Sequence, residues 1–271
     1  MGNIEHTHRG SGRPAFVFVH GFGCAGSDWD AQVEHLQGAH ETIAVDLGAH
    51  GRSRGTAEHA RIETHGRDVA ALVNELKLED AILVGHSMGC RVVLEAAFAV
   101  PEKVAGLVLV DGSRLGTPGS NVHEATRKQI ADVGYQAFIR PLFLAMFSPA
   151  YDKAKAETLV ARALARPAEI AGPLFADIGR WDAEKMDTAL GRLRVPLMLI
   201  QTTYQDERRQ RRSLEKGQTS PYLELVKSKV PGARIEVIPG TGHFPQLETP
   251  AVVSTLLDDF ARGLQREHRT P

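Results

Sequence analysis

The segment Gly85-His86-Ser87-Met88-Gly89 places a hydroxyl between two glycines, directly after the apolar run AILV at 81–84. A second apolar segment, CRVVL, follows it at once. The pattern G-x-S-x-G between a strand and a helix is typical of a nucleophile elbow, a tight turn that raises a serine oxygen above a sheet. Glycine fits at both ends of this turn because side chains there would collide with the neighbouring strand and helix. Ser87 is therefore a candidate nucleophile, and an ordinary helix-capping serine is the alternative interpretation.

A serine nucleophile needs a base, because the hydroxyl is a weak nucleophile at its free pKa. The chain has twelve histidines, so the presence of a histidine alone indicates little. His243 is distinguished by its position in GTGHFPQLETP, just after the last strand-like run, RIEVI. We interpret His243 as the base, with an exposed turn histidine as the alternative. His20 and His86 are interpreted as residues that shape their loops.

Attack by a serine on an acyl carbon creates an oxyanion, which requires backbone N–H donors directed at it. The residue after the nucleophile, Met88, is predicted to supply one donor. The loop HGFGCAGSDW at 20–29 is predicted to supply the second donor from Phe22, since Gly21 and Gly23 allow the backbone to approach a substrate. A simple tight turn at HGFG is the alternative.

These residues are positioned by alternating strands and helices. Nearly continuous apolar runs are typical of parallel strands that are covered on both faces, and amphipathic segments such as 65–78 predict helices between them. The alternation predicts an α/β fold, with a mostly parallel central sheet flanked by helices. The strand-like runs are AFVFV at 15–19, TIAV at 42–45, AILV at 81–84, GLVLV at 106–110, PLMLI at 196–200 and RIEVI at 234–238.

One interval differs from the others in its length. The segment between GLVLV and PLMLI contains helical patterns, such as those at 125–147 and 154–165, but no strand-like run. We predict that residues 114–192 form a helical lid, and that residues 1–113 and 193–271 form the core. Ligands of open α/β sheets bind beyond the carboxyl ends of the strands, so a lid inserted there would cover the site.

Four segments in this order resemble the α/β-hydrolase fold superfamily: HGFG at 20–23, DLGAHGRS at 46–53, GHSMG at 85–89 and GHF at 242–244. The resemblance extends over nearly the whole chain and implies the order serine, acid, histidine for the catalytic residues. Ala49 departs from the pattern, because these proteins more often carry glycine there. The N-terminus leaves room for about one strand before residue 15.

The resemblance usually places the acid in a G-x-x-D turn after the strand at 196–200, but Gln205 occupies that position here. Some members carry the acid at the end of the preceding strand, where GLVLVDGS places Asp111. A carboxylate at a strand end is held more rigidly than one in a long charged loop, which suits the orientation of an imidazole. We therefore favour Asp111. The alternatives are Asp206, Glu215 and Glu224.

Composition limits the possible partners. The formal net charge is −1, which provides no field for nucleic acid or for an anionic membrane. Two cysteines, Cys24 and Cys90, are too few for a disulfide framework and favour a cytoplasmic location, and no apolar run is long enough to span a membrane. The arginine-rich run 208–212 has acidic neighbours and is interpreted as a solvated loop, with recognition of an acidic substrate group as the alternative. We predict no metal site, because the pair His6 and His8 lacks further ligands.

These features together predict a serine hydrolase that cleaves a small-molecule carboxylic ester or lactone through an acyl-enzyme. The expected chemistry requires no metal and no organic cofactor. Within the same fold, a cofactor-free haloperoxidase and an acyltransferase are alternatives, because they use the same three residue types. A hydrolase-like receptor for a small ligand is the alternative from a different functional class.

Overall fold

A seven-stranded, mostly parallel sheet forms the centre of the protein. The computed structural model describes residues 4–206 and 210–267. In this sheet the strand order is β1-β3-β2-β4-β5-β6-β9; β1 is antiparallel to β3 and the other neighbours are parallel. Two further strands, β7 and β8, form a separate antiparallel hairpin. The strands are β1 (His6–Arg9), β2 (Phe16–Val19), β3 (Thr42–Val45), β4 (Ala81–His86), β5 (Val104–Val110), β6 (Leu197–Gln201), β7 (Thr203–Gln205), β8 (Arg211–Ser213) and β9 (Arg234–Val237).

Both faces of the central strands are buried, which explains their continuous apolar sequences. In β2, Val17 and Val19 pack into one apolar cluster, whereas Phe16 and Phe18 pack into a second cluster on the opposite face. Successive side chains of a strand point to opposite faces, so both faces of such a strand must be apolar. The predicted parallel sheet flanked by helices is confirmed.

Helices cover the two faces of the sheet. Side chains of α2 and α3 belong to one apolar cluster, and side chains of α1 and α10 belong to the other. The helix predicted at 65–78 begins three residues earlier, at Ile62. The helices are α1 (Asp30–Leu36), α2 (Ile62–Glu75), α3 (Gly89–Ala99), α4 (Val122–Val133), α5 (Tyr135–Leu144), α6 (Lys153–Leu164), α7 (Ala168–Arg192), α8 (Pro221–Lys229), α9 (Pro245–Glu248) and α10 (Pro250–Glu267).

The long interval between β5 and β6 contains α4, α5, α6 and α7, and residues 114–192 are called the insertion below. The continuous helical pattern at 125–147 is divided at Gly134, whose φ of 84° ends α4 and begins α5. The insertion is attached to the core through α7. Trp181 is fully buried there, and its indole N–H donates a hydrogen bond of 2.7 Å to Glu95 on α3.

The hairpin of β7 and β8 corrects the interpretation of 208–212 as a solvated loop. Arg211 begins β8 and its side chain is only 11 % exposed, while Arg212 is 55 % exposed. Residues alternate in direction along a strand, so adjacent arginines can differ in this way. Arg208 and Arg209, in the same run, lie outside the described residues.

Within the described part of the chain, no helix combines the length and the apolar character that crossing a bilayer requires.

Candidate active site

Ser87 lies in the sharp turn between β4 and α3. Its φ of 54° is in the left-handed region, which non-glycine residues seldom adopt. A Cβ at position 85 would lie 2.3 Å from the carbonyl oxygen of residue 89, and one at position 89 would lie 2.5 Å from that of Val19. The two glycines of the motif are therefore required by the close packing of β2, β4 and α3.

His243 follows β9 and is brought to Ser87 from the other end of the chain. The Ser87 hydroxyl lies 2.8 Å from Nε2 of His243, which is the distance of a hydrogen bond. The carbonyl of His243 accepts a hydrogen bond of 2.7 Å from Nε2 of His86, the residue beside the serine. His86 thus holds the backbone of the histidine loop, consistent with its interpretation as a loop-shaping residue.

The insertion also contacts the histidine loop. The backbone N–H of His243 donates a hydrogen bond of 2.7 Å to the carbonyl of Met146, just after α5. One carboxylate oxygen of Glu248 accepts from the amides of Gly242 and Ser148, at 3.1 and 3.3 Å. His243 is therefore held between the core and the insertion.

Asp111 is the carboxylate that the structure places at His243. It lies at the end of β5, and its Oδ2 accepts a hydrogen bond of 2.5 Å from Nδ1 of His243. Oδ1 accepts from the amides of Thr202 and Thr203, at 2.8 and 2.7 Å, and the Thr203 hydroxyl donates to Oδ2 at 2.5 Å. These donors hold the carboxylate in position for the imidazole.

The alternative acids make other contacts. Asp206 pairs with Arg212 at 3.2 Å in the β7–β8 hairpin. Glu224 pairs with Lys227 on the surface of α8, and Glu215 is exposed. Among the described residues, Asp111 is the only carboxylate that accepts a hydrogen bond from the imidazole of His243.

Arg211 is a component of the site, although the sequence favoured a solvated loop for the run that contains it. Its Nη1 donates a hydrogen bond of 2.7 Å to the Thr203 hydroxyl and lies 3.6 Å from Oδ2 of Asp111. The same nitrogen is 3.1 Å from Nδ1 of His243. Since Nδ1 donates its proton to Asp111, this last contact brings a cation against the imidazole without a hydrogen bond between them.

The environment keeps His243 neutral and Asp111 ionised. Burial and the nearby Arg211 cation lower the pKa of His243 to about 4, against the opposing effect of Asp111. Burial alone would raise the pKa of Asp111, but the hydrogen bond from His243 and the charge of Arg211 outweigh it, and that pKa is lowered. A neutral imidazole hydrogen-bonded to a hydroxyl can accept its proton.

The backbone amides predicted as oxyanion donors border the same space. A Cβ at Gly21 would lie 3.1 Å from the Cβ of Ser87, so the loop that contains Phe22 passes close to the serine. Within residues 4–206 and 210–267, neither the amide of Phe22 nor that of Met88 donates a hydrogen bond. His20 holds this loop, because its Nδ1 donates to the Gly21 carbonyl at 2.7 Å.

A cavity of about 490 Å³ opens over Ser87 and His243. This volume is within the range of small-molecule sites. Cys24 also lines it, but burial raises the pKa of both cysteines, to about 12 for Cys90, so neither is a thiolate at neutral pH. The part of the cavity wall that the insertion supplies is mainly apolar, and it includes Phe143, Met146, Phe175 and Ile178.

A mostly parallel sheet with a serine in a strand–helix turn and a histidine after its last strand defines an α/β-hydrolase fold. The family model described as the alpha/beta hydrolase family matches residues 16–256. The chain therefore belongs to the α/β-hydrolase family.

Three comparisons illustrate its relatives. The chain is 27 % identical over 266 residues to the dihydrolipoyllysine-residue acetyltransferase component of the acetoin cleaving system of Pseudomonas putida, covering 93 % of this chain but only 65 % of that protein. It is 27 % identical over 263 residues to the pimeloyl-(acyl-carrier protein) methyl ester esterase of Edwardsiella ictaluri, covering 94 % and 95 % of the two chains. The solved structure of a thermophilic esterase from Thermogutta terrifontis superposes with a TM-score of 0.77 at 23 % identity, covering 96 % and 93 %.

Proposed function

We propose that this α/β hydrolase cleaves a carboxylic ester or lactone by way of a covalent acyl-enzyme. The observation that carries the proposal is the continuous hydrogen-bonded path from Ser87 through His243 to Asp111, with the serine and the histidine lining one cavity. The name of the esterase relative from Edwardsiella ictaluri supports an ester as substrate.

In the first half-reaction, the oxygen of Ser87 attacks the acyl carbon while Nε2 of His243 accepts the hydroxyl proton. The amides of Phe22 and Met88 stabilise the tetrahedral oxyanion. His243 then donates the proton to the leaving alcohol, and the acyl group remains on Ser87.

In the second half-reaction, water replaces the alcohol. His243 accepts a proton from the water, the resulting hydroxide attacks the acyl-enzyme, and Ser87 leaves with the proton returned by His243. Asp111 fixes the Nδ1–H tautomer in both steps and stabilises the imidazolium. The scheme uses no metal and no organic cofactor.

The domain assignment and the location complete the proposal. Residues 114–192 act as a lid over a core formed by 1–113 and 193–271, because the insertion supplies much of the apolar cavity wall. Cys24 and Cys90 are buried free thiols, which supports a reducing, cytoplasmic setting.

The direct experiment labels the nucleophile. A fluorophosphonate probe should modify Ser87 covalently, and Ser87→Ala should lose the label and about 10⁶ in kcat on p-nitrophenyl esters of graded acyl length. Ser113→Ala is a matched control, since Ser113 lines the same cavity without contacting His243. Labelling confined to another residue, or a near-normal rate in Ser87→Ala, would exclude the proposed nucleophile.

Acyl transfer is a second candidate, because the name of the Pseudomonas putida relative describes an acetyltransferase component. The same acyl-enzyme would then be captured by an alcohol or amine. Product analysis with an added acceptor separates the two reactions. Transfer that exceeds hydrolysis at millimolar acceptor would assign the chain to the transferases.

A further inference from the structure

The charged side chains on the cavity wall are all cations. Among the described residues, three arginines line the cavity and no aspartate or glutamate does. Each arginine is paired with a carboxylate whose residue does not line the cavity, so the charged residues of the wall are positive although each ion pair is neutral, and this arrangement favours an anion in the cavity. The pairs are Arg91–Asp182, Arg211–Asp111 and Arg212–Asp206.

All three guanidinium nitrogens of Arg91 already donate to protein acceptors. Its Nε and Nη2 bind the two oxygens of Asp182, at 2.9 and 2.8 Å. Its Nη1 donates to the carbonyl of Ser87 at 2.8 Å, and Nη2 also donates to the carbonyl of Ser113. Arg91 therefore connects α3 to α7 and supports the turn at Ser87.

Arg211 differs, because part of its guanidinium is unused. A guanidinium carries five N–H donors in a planar fork, and only Nη1 of Arg211 donates a hydrogen bond, to Thr203. Within the described part of the chain, its Nε and Nη2 have no acceptor, although the side chain is nearly buried and lines the cavity. Arg212, on the more exposed part of the wall, adds a second positive charge.

We propose that the substrate is an ester that carries a carboxylate, and that the free edge of Arg211 binds this carboxylate. The inference rests on the proposed ester hydrolysis and specifies its substrate class. The planar edge of a guanidinium matches a carboxylate in a bidentate geometry. Arg211 is separated from Ser87 by only the imidazole of His243, so the carboxylate and the scissile carbonyl are a few bonds apart.

Binding at Arg211 also affects the base. Two cations, Arg211 and the weaker-acting Arg91, lower the pKa of the His243 imidazole and so oppose its protonation, whereas Asp111 favours it. A substrate carboxylate bound to Arg211 offsets the positive charge of the guanidinium. The imidazole of His243, which Asp111 supports, then accepts a proton more readily. The preference for an anionic substrate therefore appears in kcat as well as in KM.

The test compares monomethyl esters of dicarboxylic acids of graded length with analogues that end in a neutral carboxamide. For the wild type, kcat/KM of the acid should exceed that of the amide by about 10- to 100-fold at the preferred length, as expected for hydrogen bonds to a charged group. Arg211→Gln should abolish this ratio, Arg211→Lys should retain part of it, and Arg212→Gln should reduce it less than Arg211→Gln. The ratio is the readout, because Arg211 contacts Thr203 beside Asp111 and its replacement slows both substrates.

Two results overturn the inference while leaving ester hydrolysis intact: equal kcat/KM for acid and amide in the wild type, or an unchanged ratio in Arg211→Gln. Failure of the proposed function itself is recognised separately, when p-nitrophenyl esters are not cleaved or their cleavage survives Ser87→Ala. A measurement without turnover uses calorimetric titration of Ser87→Ala with the preferred monoester. Affinity should fall about 10-fold or more in Ser87→Ala/Arg211→Gln, and equal affinity in both proteins overturns the inference.

Discussion

Replacement of Asp111 by asparagine tests the catalytic set with very little change in shape. In the wild type, the amides of Thr202 and Thr203 donate to Oδ1 of Asp111. The side-chain oxygen of asparagine can accept the same two hydrogen bonds. The NH₂ group then occupies the position of Oδ2 and faces Nδ1 of His243. Because an NH₂ group donates, Nδ1 must become the acceptor, and the proton moves to Nε2, opposite Ser87.

The resulting imidazole cannot accept the serine proton. We expect kcat to fall by about 10⁴, which corresponds to about 5.5 kcal/mol in the activation free energy. The free energy of unfolding should fall by only about 1–3 kcal/mol, the cost of imperfectly satisfied buried groups, among them the Thr203 hydroxyl and the Arg211 cation.

Steady-state hydrolysis of a p-nitrophenyl ester measures the change in kcat. Urea unfolding followed by circular dichroism measures the change in the free energy of unfolding. Asp206→Asn is the matched control, because Asp206 pairs with Arg212 in the hairpin and should leave kcat near the wild-type value. If Asp111→Asn loses less than about tenfold, or if both variants lose activity equally, the assignment of the acid is wrong.

Two further predictions concern arginines near the site. The acidic limb of the pH profile of kcat/KM should lie near pH 4 in the wild type, since the neutral form of His243 is the proposed base. Arg211→Gln removes a cation that lowers the pKa of His243, so the limb should move to higher pH, and an unmoved limb would show that Arg211 does not act on His243. Asp182→Asn should lower the free energy of unfolding by about 3–5 kcal/mol, measured in urea, because Arg91 stays buried without its ionic partner.

The control for Asp182→Asn is an exposed ion pair. Arg140 and Glu157 pair at 2.9 Å with both side chains about half exposed, so Glu157→Gln should change stability by less than about 1 kcal/mol. Similar losses in Asp182→Asn and Glu157→Gln would contradict the role given to burial.

The sheet could be predicted from the sequence because its strands are buried on both faces, which makes the apolar runs continuous and easy to locate. The turn at Ser87 could be predicted for a local reason, since its two glycines are adjacent to a strand and a helix. The structure places Ser87 2.8 Å from His243, as the position of each at a strand end suggested, while their catalytic roles stay predictions.

Other features depend on contacts that no local pattern encodes. Asp111 and Asp206 both follow or lie near strand ends, and only the three-dimensional arrangement places Asp111 at Nδ1 of His243. Arg211 belongs to a run of similar charges, and the pairing of β7 with β8 decides which arginine points inward. The sequence did not predict the break between α4 and α5 at Gly134, because the helical apolar pattern continues on both sides of this glycine.

The hydrogen bond between the amide of His243 and the carbonyl of Met146 has a consequence for protein engineering. A chimaera that exchanges residues 114–192 for a segment of another protein replaces the acceptor of this hydrogen bond, and so a support of the proposed general base, together with the apolar residues that line the pocket. Such a chimaera needs a backbone carbonyl at the position of Met146. Without it, the pocket changes but the imidazole of His243 is displaced.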